Sequence, residues 1–168
     1  MPTGLTATLG VALQALFTNT VDVGSASYPV NFSPSIPFTD GAGANQVNKL
    51  FSDQRTLAAS ATEDLDLNGT LLDVFGNAFS PTKIKGIIIF ADAGNTNDVI
   101  VGGASANQFA SMFGAATHTV KIQPGGFLAL ATPSAAGYAL TAGTGDLLKI
   151  ANSAGGSAVT YTILVIGA

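Results

Sequence analysis

The sequence predicts an all-β fold: a single β-sandwich of jelly-roll type with an extended N-terminal arm. Three observations predict it. Short β-branched and apolar runs recur along the chain, several with strict alternation. Turn signals such as Asn68-Gly69, Gly76-Asn77 and Pro124-Gly125-Gly126 separate them at close intervals. Early in the chain, Pro29, Pro34 and Pro37 interrupt regular pairing among Ser, Asn and Gly. The expected division is residues 1–44 as an N-terminal strand and extended arm, and residues 45–168 as the sandwich domain.

Residues 5–15 alternate, with Leu5, Ala7, Leu9, Val11, Leu13 and Ala15 on one face. Period two argues for a strand, although Leu9 to Phe17 also holds good helix formers. Residues 18–45 read as irregular, with Tyr28, Val30, Phe32, Ile36 and Phe38 recurring among the prolines. An arm lying on a neighbouring surface fits this pattern, and a loop packed on its own domain fits it equally. The glycines of Asp40 to Asn45 read as a hinge into the main body.

A strand is expected through Thr56 to Ala59. In Glu63 to Leu67, Leu65 and Leu67 should point inward and Asp64 and Asp66 outward. Lys83 to Gly103 reads as a central hairpin, two apolar runs around the polar tip Asp92 to Asp98. The unbroken run Ile87-Ile88-Ile89-Phe90 suggests a strand covered on both faces. Ser105 to Ala116 is a long loop or a short helical turn. Further strands are expected at Thr117 to Ile122, Phe127 to Ala131 and Tyr138 to Thr141. Leu147 to Ala151 and Val159 to Ile166 read as a closing hairpin.

Charged residues make up only 10% of the chain, against an average near ~25%. So sparse a charge suits a protein that packs copies against neighbours, because charge is depleted at interface cores. The net charge of −4 argues against binding a phosphate backbone, so no nucleic-acid partner is expected. No run approaches the ~18 apolar residues of a membrane helix, so no membrane partner is expected. With no cysteine, disulfides, thiolate metal sites and a cysteine nucleophile are excluded. Leu9 to Phe17 and Ser25-Ala26-Ser27 faintly resemble a signal peptide. No Lys or Arg precedes Lys49, so a cleaved leader is not expected.

Candidate sites reduce to structure on inspection. Asp64-Leu65-Asp66-Leu67-Asn68-Gly69 begins like a calcium loop, but the twelfth position, where a bidentate Glu belongs, is Phe75. His118, the single histidine, lies between Thr117 and Thr119 without a nucleophile elbow in the sequence. Gly102-Gly103 and Gly143-Thr144-Gly145 lack a following Gly-Lys-Ser/Thr, so turn chemistry suffices. Asp92 and Asp98 read as solvated turn residues. Asn31-Phe32-Ser33 and Asn68-Gly69-Thr70 match the glycosylation pattern, which carries little weight without an export signal. No catalytic residue, cofactor-binding residue or metal ligand is expected, and no cofactor.

Several phrases together carry a resemblance: Leu65-Asp66-Leu67-Asn68-Gly69-Thr70-Leu71, Lys83-Ile84-Lys85, Val101-Gly102-Gly103, Pro124-Gly125-Gly126, and Asp146 to Asn152 before Val159-Thr160-Tyr161. Over residues 45–168 the chain resembles small β-rich virion proteins of tailed bacteriophages, of the decoration (cement) or head-spike-base kind. The motifs are turn and core patterns, and the first 44 residues match nothing in that group. The resemblance implies a non-enzymatic capsid decoration protein, made in the host cytoplasm and carried on the virion surface. Its implied partners are the major capsid protein and further copies of itself, as a homotrimer. A tail or spike-base component is the alternative; a carbohydrate-binding module is weaker, since the chain has no Trp and three Tyr. Deleting residues 1–40 is expected to leave the β-domain folded and to weaken attachment.

Overall fold

The computed structural model describes residues 4–168, which form fourteen strands and no helix. The first four strands make one antiparallel ribbon. β1 (Ala7–Gly10) pairs with β4 (Ser35–Asp40), and β2 (Leu13–Thr20) pairs with β3 (Ser25–Phe32). Ala7 faces Phe38, Leu13 faces Phe32 and Thr20 faces Ser25, so the register never slips. Val11 donates its N–H to the Pro34 carbonyl at 3.1 Å and bridges the two segments. The reversal falls at Val21 to Gly24, where Gly24 supplies a backbone φ of 96°.

The stretch expected to be irregular is therefore mostly strand. Pro29 faces Leu16 and Pro37 faces Thr8. Both stand an odd number of residues from the bonded Val11–Pro34 pair, on pairs whose N–H positions point outward. A two-stranded ribbon has only edges, so these prolines lose no ladder bond.

The ribbon root is anchored. Phe38 is 2% exposed and packs with Val47 and Ile166, with Leu5, Ala7, Leu9, Ile36 and Leu50 around them. β5 (Gln46–Val47) runs parallel beside β4. Removing residues 1–40 would strip this small cluster, so the separable part of the ribbon is β2 and β3 alone.

The remaining strands are β6 (Lys49–Leu57), β7 (Thr62–Asp66), β8 (Lys83–Ala91), β9 (Val99–Gly102), β10 (Thr119–Ile122), β11 (Phe127–Ala131), β12 (Tyr138–Ala139), β13 (Leu147–Asn152) and β14 (Val159–Gly167). One sheet has the order β11-β8-β14-β6, with β12 also on β8; another has the order β10-β9-β13-β7. Both contribute to a single buried cluster. Ile87, Ile89, Tyr161, Ile163 and Val165 come from the first sheet, and Leu65, Val99, Val101, Leu148 and Ile150 from the second. Each large apolar side chain fully buried there contributes roughly 1.5–3 kcal/mol.

Two expected hairpins are not hairpins. β8 and β9 lie in different sheets, and so do β13 and β14. Alternation reveals which residues face a core but not which strand lies alongside, and both sheets face the same core. The polar tip is a corner between sheets. Asn95 fixes it by donating Nδ2–H to the Thr160 carbonyl and accepting the Thr160 N–H, both at 2.8 Å. Asn97 Nδ2 reaches Asn152 Oδ1 at 2.9 Å and the carbonyls of Ala154 and Ser157 at 3.0 Å. The expectation that Ile87 to Phe90 is covered on both faces also fails: Ile88 is half-buried and Phe90 exposed.

Candidate interaction surface

Period-two geometry sorts the ribbon into two faces. On β2 and β3, Leu13, Ala15 and Phe17 share a face with their partners Phe32, Val30 and Tyr28. The opposite face holds Gln14, Thr18 and Thr20 with Asn31, Ser27 and Ser25, broken only by Leu16 and Pro29. Every residue of β2 is exposed, and in β3 only Val30 is partly covered. Phe17 is 73% exposed and Tyr28 68%.

The same face, followed back along the ribbon, is Leu9 and Ile36, then Ala7 and Phe38. Those residues pack on the body. One continuous apolar stripe is thus buried at its root and bare beyond it. Monomeric soluble proteins rarely leave so long an apolar strip uncovered. Between residues 4 and 39 the only charged side chain is Asp22, at the tip.

A second uncharged surface lies on the outer side of the five-stranded sheet. Register places Gly86, Ile88 and Phe90 of β8 beside Phe127, Ala129 and Ala131 of β11 and beside Thr162, Leu164 and Ile166 of β14. Leu50, Ser52, Gln54 and Thr56 of β6 complete this face. Phe127 is 64% exposed, Leu164 39% and Phe90 38%. Where the ribbon root crosses it, a shallow cleft of about 160 Å³ is lined by Leu9, Leu50, Gly86, Ile88, Leu164 and Ile166. A Cβ on Gly86 would stand 3.0 Å from Leu9 Cδ1 and 2.9 Å from Ile166 Cγ1, so glycine here permits the close approach of ribbon and sheet.

A further cleft of about 140 Å³ lies among Leu5, Asn48, Leu50, Val74, Phe75 and Phe79. Asn48 Oδ1 beneath it is buried without a partner. Its two titratable side chains are Lys49 and Asp73. The Asp73 carboxylate accepts the N–H groups of Phe75 and Asn77 at 2.8 and 2.9 Å. The Asn77 bonds hold its ionisation below the usual carboxylate range. It closes a turn.

The residues singled out from the sequence occupy structural positions. Asp64 faces Lys149 across β7 and β13. Asp66 Oδ1 accepts the Asn68 N–H at 3.2 Å in the expected turn. His118 is exposed, and its own N–H bonds the Ala115 carbonyl at 3.1 Å. Asp92 Oδ1 accepts the Gly94 N–H at 2.7 Å, and Asp98 pairs with Lys121 at 3.3 Å. Gly102 and Gly103 have φ of 102° and 70°, and a Cβ on Gly102 would stand 2.6 Å from the His118 carbonyl. The Gly143 N–H bonds Asp146 Oδ2 at 2.5 Å. Asn31 lies on the polar face of the ribbon, and Asn68 in a turn.

Sequence reading missed one charged network. The Tyr161 hydroxyl donates to Glu63 Oε1 at 2.6 Å, while Arg55 bonds Glu63 at 2.7 Å and Asp53 at 2.9 Å. Its only signal was polar residues at inward positions of otherwise apolar strands. Every charge in it is paired, which suits a structural clasp. Among the described residues no group of three or more His, Cys, Asp or Glu is placed to hold a metal ion. No helix among them is long and apolar enough to cross a membrane. Comparison of the chain with protein-family models, with curated proteins and with solved structures gives no match.

Proposed function

We propose that this chain is a non-catalytic structural protein that fastens a larger assembly together through its ribbon. The observation that carries the reading is the apolar stripe running from Ala7 and Phe38, where it is buried, to Phe17 and Tyr28, where it is bare. In this reading the two large sheets are the halves of a jelly-roll-like sandwich, and the ribbon is its extended arm. The low charge of the chain supports a role spent against neighbours.

The resemblance of residues 45–168 to tailed-phage virion proteins makes the assembled capsid the scaffold in this proposal. The chain would then be a decoration protein, bound to the major capsid protein and arranged as trimers on the virion surface. Such a protein stabilises a shell by mass action, because it binds the assembled state and not the dissociated one. The test is co-sedimentation with undecorated shells of the intact chain and of the triple variant Phe17→Ser, Tyr28→Ser, Phe32→Ser. The proposal expects the intact chain to pellet with shells and the variant to stay in the supernatant while keeping its β-rich circular dichroism. Equal pelleting of both would overturn it.

A further inference from the structure

We infer that the bare face of the ribbon is covered by a second copy of this chain, on the outer side of its five-stranded sheet. The inference rests on the fastening role proposed above and names the surface that receives the ribbon.

Three observations converge on this occupant. The first is continuity. The ribbon root already lies against this sheet in its own chain, with Leu9 at the edge of a cleft it forms with Leu50, Gly86, Ile88, Leu164 and Ile166. The stripe that makes this contact continues without a register slip into Leu13, Phe17, Tyr28 and Phe32. The sheet face likewise continues past the cleft into Phe90 and Phe127. Each surface thus extends a contact that the molecule already makes.

The second is chemistry. No charged side chain stands on β2 or β3, nor at the outward positions from Gly86 to Phe90, Phe127 to Ala131, Thr160 to Ile166 and Leu50 to Thr56. Aromatic residues on both sides can interleave without desolvating a charge.

The third is reach. Eight paired residues at about 3.3 Å each give β2 and β3 a length of roughly 26 Å. The four strands β11, β8, β14 and β6, at about 4.8 Å spacing, present a face roughly 19 Å across including side chains at its rims. One ribbon therefore spans one such face. Its pairing keeps one register from Ala7 to Gly10 and from Leu13 to Thr20, joined through the Val11 N–H bond to the Pro34 carbonyl, and every residue of β2 is exposed, so the distal half does not lie on its own sheet.

The contact is head-to-tail, ribbon of one copy onto sheet of the next. Such contacts close into rings when the rotation permits. The test uses two full-length variants altered only at exposed residues: a ribbon variant, Phe17→Lys with Tyr28→Lys, and a sheet variant, Phe90→Lys with Phe127→Lys. Molar mass is read by light scattering after size exclusion. The inference expects the unaltered chain to form closed oligomers and each variant alone to be monomeric. An equimolar mixture of the two should give a dimer, since one intact ribbon then meets one intact sheet. Circular dichroism and melting temperature of each variant establish that it is folded.

A mixture that stays monomeric beside an oligomeric unaltered chain would overturn the head-to-tail contact, as would an oligomer retained by the sheet variant alone. If the unaltered chain is monomeric at every concentration yet still pellets with shells, the ribbon's partner is the shell, and this inference fails while the fastening role survives. If it neither self-associates nor pellets, both fail.

Discussion

Tyr161 and Lys85 show what burial does to single groups in a chain with few charges. Tyr161 has no exposed surface, and burial, reinforced by its bond to Glu63, pushes its ionisation above the ordinary phenol value of 10.0. An unfolded phenol releases its proton near pH 10 while the folded one keeps it. Above that pH the native state binds more protons, so stability falls as pH rises. Tyr161→Phe should flatten this alkaline decline and cost about 1.5–3 kcal/mol at neutral pH, the usual worth of a bond to a charged acceptor. Urea denaturation between pH 7 and about 11 measures both effects. Lys85 is also fully buried, and its ammonium donates to the Ser134 carbonyl. No carboxylate lies within ion-pair distance of it among the described residues. Burial first, and then Lys83, lowers its ionisation below 10.5. Between the lowered value and 10.5 the unfolded state binds more protons, so this group makes stability rise with pH in that window. Lys85→Met should therefore raise stability at pH 7 and remove that rise, measured by the same denaturation series. Neither behaviour was legible in the sequence, because burial of Lys85 depends on the loop carrying Ser134 closing over β8.

At the scale of elements, alternation located most strands but not their partners. Phe127 to Ala131 is a strand with the bounds the pattern suggests, and Leu65 and Leu67 point inward as expected. The pattern could not tell that β8 and β9 part to different sheets, because apolar residues facing one core look alike from either side of it. The asparagines at the corner decide the matter locally. Asn97→Ala removes two N–H donors shared among Asn152 Oδ1 and the carbonyls of Ala154 and Ser157, each of which keeps another donor: the Ala154 N–H, the Ser60 N–H and Asn152 Nδ2 respectively. It should cost about 1–2 kcal/mol, seen as a lower denaturation midpoint with an unchanged slope. The ribbon shows the opposite limit. The face shared by Leu5, Ala7 and Leu9 was legible, but not that the same face goes bare from Val11 onward. Proline hid the strands, since Pro29 and Pro37 forbid pairing in a sheet interior and are harmless on a ribbon with two edges. The triple variant Phe17→Ser, Tyr28→Ser, Phe32→Ser should leave the body's unfolding free energy within about 0.5 kcal/mol of the unaltered chain, because these side chains touch little of it. A larger loss in denaturant titration would mean that the ribbon supports the body it extends from.

For the whole molecule, the two-sheet body buries its core without help, and the ribbon does not. An isolated two-stranded ribbon is at best marginally stable in water, and three or more strands or a packing partner are needed to hold it. The ribbon's distal half has neither within its own chain, so its order should depend on association. Amide hydrogen exchange read by mass spectrometry on peptides covering Leu13 to Phe32 tests this most directly, comparing dilute chain with assembled chain. The account predicts fast exchange in the dilute state and strong protection on assembly, while β8 and β14 stay protected throughout. Equal exchange of the ribbon in both states would contradict it.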